Sequence, residues 1–259
     1  MQLTLDKKTA VSYFLSHVIA RNKKAAIHMI ENGLDLTARD FKNRTPLQIA
    51  IEYSAADILR KLIDAGVNLH GRVKNGCTML HIAAENSTPE IVEILITAGL
   101  DINAQEICGR TPLYYAIKTD SFFELKKLLV AGADPNNCDK YGKTPLMFAM
   151  EQNAPHCIRR LIECDIDLHK KDNRGRTLLH YAAKGFYTEM FKLFRDRGLS
   201  VYQPDHSGST PVNIALSKSK ELGNDKFHEF VKSLMIKKTK LNKAYIVDPT
   251  IPTETIPEI

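Results

Sequence analysis

A 33-residue period runs through this chain and constrains its fold more than any other feature. Glycine or asparagine stands two residues before each repeated threonine, and alanine stands five residues after it. Periods of roughly 20–50 residues indicate tandem arrays, in which each unit buries its apolar side against its neighbours. The repeated triplets are Thr45-Pro46-Leu47, Thr78-Met79-Leu80, Thr111-Pro112-Leu113, Thr144-Pro145-Leu146, Thr177-Leu178-Leu179 and Thr210-Pro211-Val212.

Each repeated residue type has a physical role. Threonine caps helix N-termini and proline suits the first helical position, so each triplet predicts a helix start. The preceding glycine or asparagine predicts a turn with positive φ, and the alanine is small enough for close helix contact. A second amphipathic segment follows and is predicted to end at a left-handed residue. Those residues are Gly33, Gly66, Gly99, Gly132 and Gly198, with Asp165 in the fifth unit.

The pattern closely resembles the ankyrin repeat family over about residues 12 to 236. The family motif T-P-L-H-x-A has its histidine here only at His81 and His180, and most units lack the glycine usual between the two helices. The resemblance implies an all-α fold, an α-solenoid of helix-turn-helix units joined by β-hairpin-like loops.

The ends of the array differ from its middle. We predict an N-terminal segment and degenerate capping repeat over 1–44, with Ser12 in the threonine place, and five repeats of 33 residues over 45–209. A divergent C-terminal capping repeat, whose first helix runs on through Leu222, is predicted over 210–240. An extended or disordered tail is predicted over 241–259.

The sequence argues against several functional classes. The five cysteines show no C-x-x-C pair, so we expect no metal site and no disulfide framework. Gly142-Lys143-Thr144 resembles the end of a phosphate loop, but Asn137 replaces the glycine that such a loop requires. No catalytic or cofactor-binding set emerges, no apolar run is long enough to cross a membrane, and the chain is predicted not to be an enzyme.

The resemblance implies partner binding on the concave side, around the hairpin turns. The position before each threonine is cationic in four of the six units, although the net charge is only +6. We therefore predict a basic edge that binds an acidic segment of another protein, helped by nearby aromatic residues. The predicted partner-binding residues are Arg39, Phe41, Arg44, Tyr53, Arg72, Lys74, Arg110, Tyr114, Tyr115, Lys140, Tyr141, Lys143, Lys171, Arg174 and Arg176.

Other hypotheses stay open from the sequence. Nucleic-acid binding through the basic edge is weaker, because Glu52, Glu85 and Glu151 line the same side. The chain could instead be the targeting domain of a larger enzyme or of a secreted, host-directed effector. We expect a cytoplasmic monomer, in the host cytosol if it is such an effector.

Overall fold

A computed structural model describes residues 6–86 and 88–246, in which helices are joined by turns and loops and no strand is present. The chain divides into two compact units, unit 1 up to Asn173 and unit 2 from Arg174. The helices of unit 1 are α1 (Lys7–Ile19), α2 (Lys23–Glu31), α3 (Pro46–Glu52), α4 (Ala56–Asp64), α5 (Met79–Asn86), α6 (Pro89–Thr97), α7 (Pro112–Lys118), α8 (Phe122–Val130), α9 (Pro145–Gln152) and α10 (Pro155–Ile162). Those of unit 2 are α11 (Leu178–Lys184), α12 (Thr188–Asp196), α13 (Pro211–Glu221) and α14 (Asp225–Ile246).

Helix pairs stack in two layers within unit 1. The first helices α1, α3, α5, α7 and α9 pack in succession, and the second helices α2, α4, α6, α8 and α10 do the same. The repeated alanines Ala50, Ala83, Ala116 and Ala149 have 0% exposure. A methyl side chain at these positions lets neighbouring helices approach closely, as the sequence predicted. In unit 2, α11 packs on α12 and α13, and α13 packs on α14.

The predicted helix starts are confirmed. Prolines occupy the first turns of α3, α7, α9 and α13. The hydroxyls of Thr45, Thr144 and Thr210 each accept a hydrogen bond from a first-turn amide at 3.3 Å. Thr111 is an exception, because its hydroxyl is buried with no hydrogen-bond partner among the described residues.

Left-handed residues mark the predicted turns. Asn43 and the five glycines at its register have φ between 63° and 81°. Four of the predicted helix-ending glycines lie in unit 1 and the fifth is Gly198, and all have positive φ. The expectation for Asp165 is wrong, because its φ is not positive. A Cβ makes the left-handed conformation costly, and α10 ends instead at Ile162.

The turns between paired helices keep left-handed geometry without glycine. Their φ values lie between 51° and 58°. Ser87, at the same register, lies outside the described residues. Loss of the family glycine therefore leaves the turn geometry intact at the cost of backbone strain. The residues concerned are Arg21, Ser54, Asp120, Asn153 and Phe186.

The terminal repeats differ from the predictions in detail. Helix α1 is capped by Asp6, so Ser12 lies inside the helix and donates to Lys8 O at 2.9 Å. Helix α13 ends with Leu222 at its C-cap, as predicted. Helix α14 continues to Ile246, so residues 241–246 are helical rather than an extended or disordered tail. The remainder of that predicted tail, 247–259, lies outside the described residues.

Candidate functional site

An acidic side chain organises the hairpin turn between repeats. Asp40 Oδ1 accepts from the amides of Lys42 at 2.9 Å and Arg44 at 2.8 Å, and Asp139 binds the corresponding amides two and four residues later. Burial alone would raise the pKa of Asp40, but hydrogen bonds from the Arg44 amide and guanidinium outweigh it, and the pKa is lowered. The ionised carboxylate thus fixes the turn.

Successive hairpins are joined by backbone hydrogen bonds in unit 1. The amide of Ile107 donates to Asn75 O at 3.0 Å, and that of Lys140 donates to Cys108 O at 2.8 Å. Asn173 N donates to Tyr141 O at 2.9 Å. We call the residues at the turn tips, 41–42, 74–75, 107–108 and 140–141, the hairpin-tip edge. The hydrogen bonds hold its later members at fixed spacing.

The cations immediately before the helix-capping threonines are engaged in internal contacts. Arg44 donates to Asp40 at 2.8 Å and to Glu52 at 2.8 Å, and only 13% of its side chain is exposed. Lys143 pairs with Glu151 at 2.5 Å. Each of these glutamates lies eight residues after its cation. These cations therefore stabilise their own repeat, and they contribute less positive charge to the basic edge than the sequence predicted.

Arg110 and Arg176 are also held by neighbouring side chains. The Arg110 guanidinium stacks over the Phe148 ring at 4.8 Å, with Nε 3.8 Å from the buried carboxylate of Asp139. In unit 2, Arg176 lies over the Tyr181 ring at 4.9 Å and donates to its hydroxyl at 3.0 Å. Cation–π contact of this kind orients a guanidinium without neutralising its charge.

Other predicted cations are exposed. Arg39 and Arg72 each donate to a carbonyl of their own hairpin and remain exposed. Lys74 is exposed at its tip, and Lys140 is exposed beside the Tyr141 ring at 5.2 Å. Lys171 and, in unit 2, Arg174 are exposed as well.

The aromatic predictions divide into surface and core residues. Phe41 is 76% exposed, Tyr141 is 48% exposed and Tyr53 is 44% exposed. Tyr115 is half-buried and its hydroxyl lies 3.0 Å from Cys77 Sγ. Tyr114 is 1% exposed, so its prediction as a partner contact is wrong.

The structure adds Ile107, which the sequence analysis missed. Its side chain is 72% exposed at the third hairpin tip, one repeat from Tyr141. Phe41 and Ile107 occupy the same register, 66 residues apart. Lys74 stands at that register in the repeat between them, and Lys140 in the repeat after Ile107. Comparing tip positions across repeats would have revealed this alternation of apolar and cationic side chains.

The family model for ankyrin repeats in sets of three copies matches overlapping segments at 15–106, 62–137, 80–172, 120–205 and 149–244. The chain belongs to the ankyrin repeat family. Ankyrin repeats indicate a protein–protein interaction module, and the fold is typically a non-enzymatic binding scaffold.

Among solved structures, the chain is similar to the crystal structure of the ankyrin repeat domain of Bcl-3, described as a unique member of the IkappaB protein family. The TM-score is 0.68 at 24% sequence identity, over 78% of this chain and 92% of that one. This likeness shows the ankyrin fold. A comparison with curated proteins found no match.

Two absences hold for the part of the chain that the structure describes. No helix there is long and apolar enough to cross a bilayer. No group of three or more histidine, cysteine or acidic side chains there could hold a metal ion.

Side chains at one register position link some of the ankyrin repeats to the next hairpin. His81 Nδ1 accepts from Thr78 N at 3.1 Å, and His81 Nε2 donates to Arg110 O at 3.0 Å. His180 makes the same pair of contacts with Thr177 N and Ser209 O in unit 2. Tyr114, at this register, donates to Lys143 O at 2.5 Å. The two histidines therefore have a structural role, and Tyr114 takes the same role at its own position in the register.

Acid should destabilise the fold through His81. Its imidazole is fully buried, and burial lowers its pKa. As the pH falls, His81 is therefore protonated in the unfolded chain before it is protonated in the folded one. The unfolding free energy should fall as pH drops below about 6.5, by at most ~1.4 kcal/mol per pH unit from this group, until His81 also protonates in the folded chain.

Urea titrations from pH 7.5 to 5 measure this effect. His81→Gln is the matched control, because Gln48 at the same register accepts from Thr45 N at 2.9 Å through its amide oxygen. The variant should keep the helix cap and lose part of the pH dependence. Identical slopes for the two proteins would exclude His81 as the titrating group.

Proposed function

We propose that this ankyrin repeat protein binds an acidic, partly apolar segment of a partner protein along the hairpin-tip edge of unit 1. The observation that carries the proposal is the exposure of Phe41, Ile107 and Tyr141 at 76%, 72% and 48% on turn tips. Large apolar side chains at exposed tips, flanked by cations, match the anchors and polar rims of protein interfaces.

Charge supports an acidic partner. Lys74 and Lys140 stand at the same tip register as the apolar anchors, whereas Arg44 and Lys143 are paired with carboxylates within their own repeats. Tip cations would raise the association rate with an acidic segment, and the apolar side chains would slow its dissociation. The five free cysteines support action in a reducing compartment such as the cytoplasm, and we propose a monomer there.

Replacing Ile107 with serine should weaken partner binding about tenfold, because burying most of an isoleucine side chain contributes ~1.5 kcal/mol. Phe41→Ser should have a similar effect. A photo-crosslinking amino acid at position 141 would identify the bound protein, and titration calorimetry with the purified partner would measure each variant.

Val130→Ser is the matched control. Val130 is 73% exposed at the end of α8, on the layer of second helices rather than on the tips. The control should bind like the unmodified chain. Equal losses of partner affinity for Val130→Ser and Ile107→Ser would contradict the proposal. Binding of single-stranded RNA, rather than of a protein, at physiological salt would contradict it as well.

A further inference from the structure

The second hairpin lacks the carboxylate that organises the others. Val73 stands at the register of Asp40 and Asp139, and Cys77 stands at that of Arg44. Backbone hydrogen bonds close this turn, from Val73 N to Cys77 O at 2.9 Å and from Gly76 N to Val73 O at 3.0 Å. The hairpin therefore carries the charges of Arg72 and Lys74 with no acidic residue of its own.

A groove lies between this hairpin and the first one. Its volume is about 630 Å³, and Glu52 is the one acidic residue among the described residues that line it. That carboxylate already binds Arg44 Nη1 at 2.8 Å. The lining therefore carries an excess of positive charge, which attracts anions. The basic residues of the lining are Arg39, Lys42, Arg44, Arg72 and Lys74.

Two guanidinium groups in the groove are held in place before any ligand arrives. Arg39 Nη1 donates to Asn43 O at 2.9 Å. Arg72 Nη1 donates to Gly76 O at 2.7 Å and to Gln105 O at 2.9 Å. These bonds use one nitrogen of each guanidinium group, so the groups are oriented and each has further N–H donors that could bind a ligand. Preorganised guanidinium groups bind phosphoryl and carboxylate oxygens in bidentate fashion with little loss of entropy.

We propose that this groove is an anion-recognition site for the partner segment, taking either a phosphorylated serine or threonine or two adjacent carboxylates. The proposal rests on the function proposed above and adds the chemistry that fixes the register of the segment. The exposed ring of Phe41, at the adjacent tip, would contact the apolar residue beside the anionic group.

Val73→Asp tests the site without removing any of its basic residues. The new carboxylate should accept from the amides two and four residues later, as Asp40 and Asp139 do, so the variant should fold. Its charge at the groove should weaken binding of an anion about threefold to tenfold. The probes are two fluorescein-labelled hexapeptides, hexaglutamate and a peptide with one central phosphoserine, measured by fluorescence anisotropy against the full chain.

The double variant Arg39→Gln/Arg72→Gln should weaken the same probes at least tenfold. Arg159→Gln, at an exposed cation of α10, lowers the net charge by one as Val73→Asp does, and this control should leave binding unchanged. Tighter binding of the phosphoserine peptide would identify phosphoryl as the natural group, and tighter binding of hexaglutamate would identify carboxylates.

Unchanged affinity in both Val73→Asp and the double variant would overturn the groove proposal, as would equal weakening by Arg159→Gln. Neither result would contradict the proposed function of the hairpin-tip edge if Ile107→Ser still weakened binding of the partner identified by crosslinking. If Ile107→Ser and Phe41→Ser left partner binding unchanged while Val73→Asp still weakened binding of the anion probes, the proposal for the hairpin-tip edge would be contradicted and the groove proposal would not.

Discussion

Ala149→Asp should lower the unfolding free energy of unit 1 by about 4 kcal/mol at pH 7. Ala149 has 0% exposure in the middle of α9, where that helix packs on α7 and α10. An aspartate there must bury a carboxylate or force the helices apart. Because each repeat is stabilised chiefly by its neighbours, the damage should extend to adjacent repeats. Urea denaturation followed by circular dichroism measures the loss.

The pH dependence of the deficit separates a charge effect from simple overpacking. Burial raises the pKa of the new carboxyl, so the unfolded chain loses this proton at lower pH than the folded one. The deficit should therefore shrink towards pH 4 and grow above it. Ala131→Asp, at an exposed position after α8, adds the same charge and should cost no more than about 1 kcal/mol. Unchanged amide-exchange protection in α9 and α10 would contradict the prediction.

The repeat register was predictable because its signals are local. Threonine, proline and glycine act through the backbone conformation of one or two residues, so their positions alone placed the helix starts and hairpin turns. Asp165 shows the limit of this inference. Whether a residue with a Cβ adopts positive φ depends on the energy of the whole helix end. Helix α10 ends one residue earlier in the repeat register than the second helices that are followed by a left-handed glycine.

The candidate site was less predictable because exposure is a tertiary property. Tyr114 and Tyr115 are neighbours in sequence, yet the Tyr114 hydroxyl reaches the carbonyls of the next hairpin and burial raises its pKa. Its shared register with His81 was the available signal. Similarly, the spacing of eight residues from Arg44 to Glu52 and from Lys143 to Glu151 could have indicated that these cations are paired.

Gly142→Ala should cost about 3 kcal/mol, and Gly66→Ala only about 1 kcal/mol, although both glycines are left-handed. Their φ values are 73° and 76°, so the backbone strain added by a Cβ is nearly the same. At Gly142 the new Cβ would lie 2.5 Å from Asn173 Oδ1 and 2.9 Å from Asn173 N. At Gly66 it would meet no atom within 4 Å.

The excess cost at Gly142 measures how firmly one hairpin is fixed to the next. Asn173 N donates to Tyr141 O at 2.9 Å, and Asn173 Nδ2 donates to Lys140 O at 3.0 Å. Relieving the clash requires this segment to move away, which breaks hydrogen bonds that contribute ~1 kcal/mol each. Urea titration of both variants gives the difference, and amide exchange at Asn173 should accelerate only in Gly142→Ala. Equal destabilisation by the two substitutions would show that one hairpin can move relative to the next at little cost in free energy. The hairpin-tip edge would then lack the rigidity that preorganised binding requires.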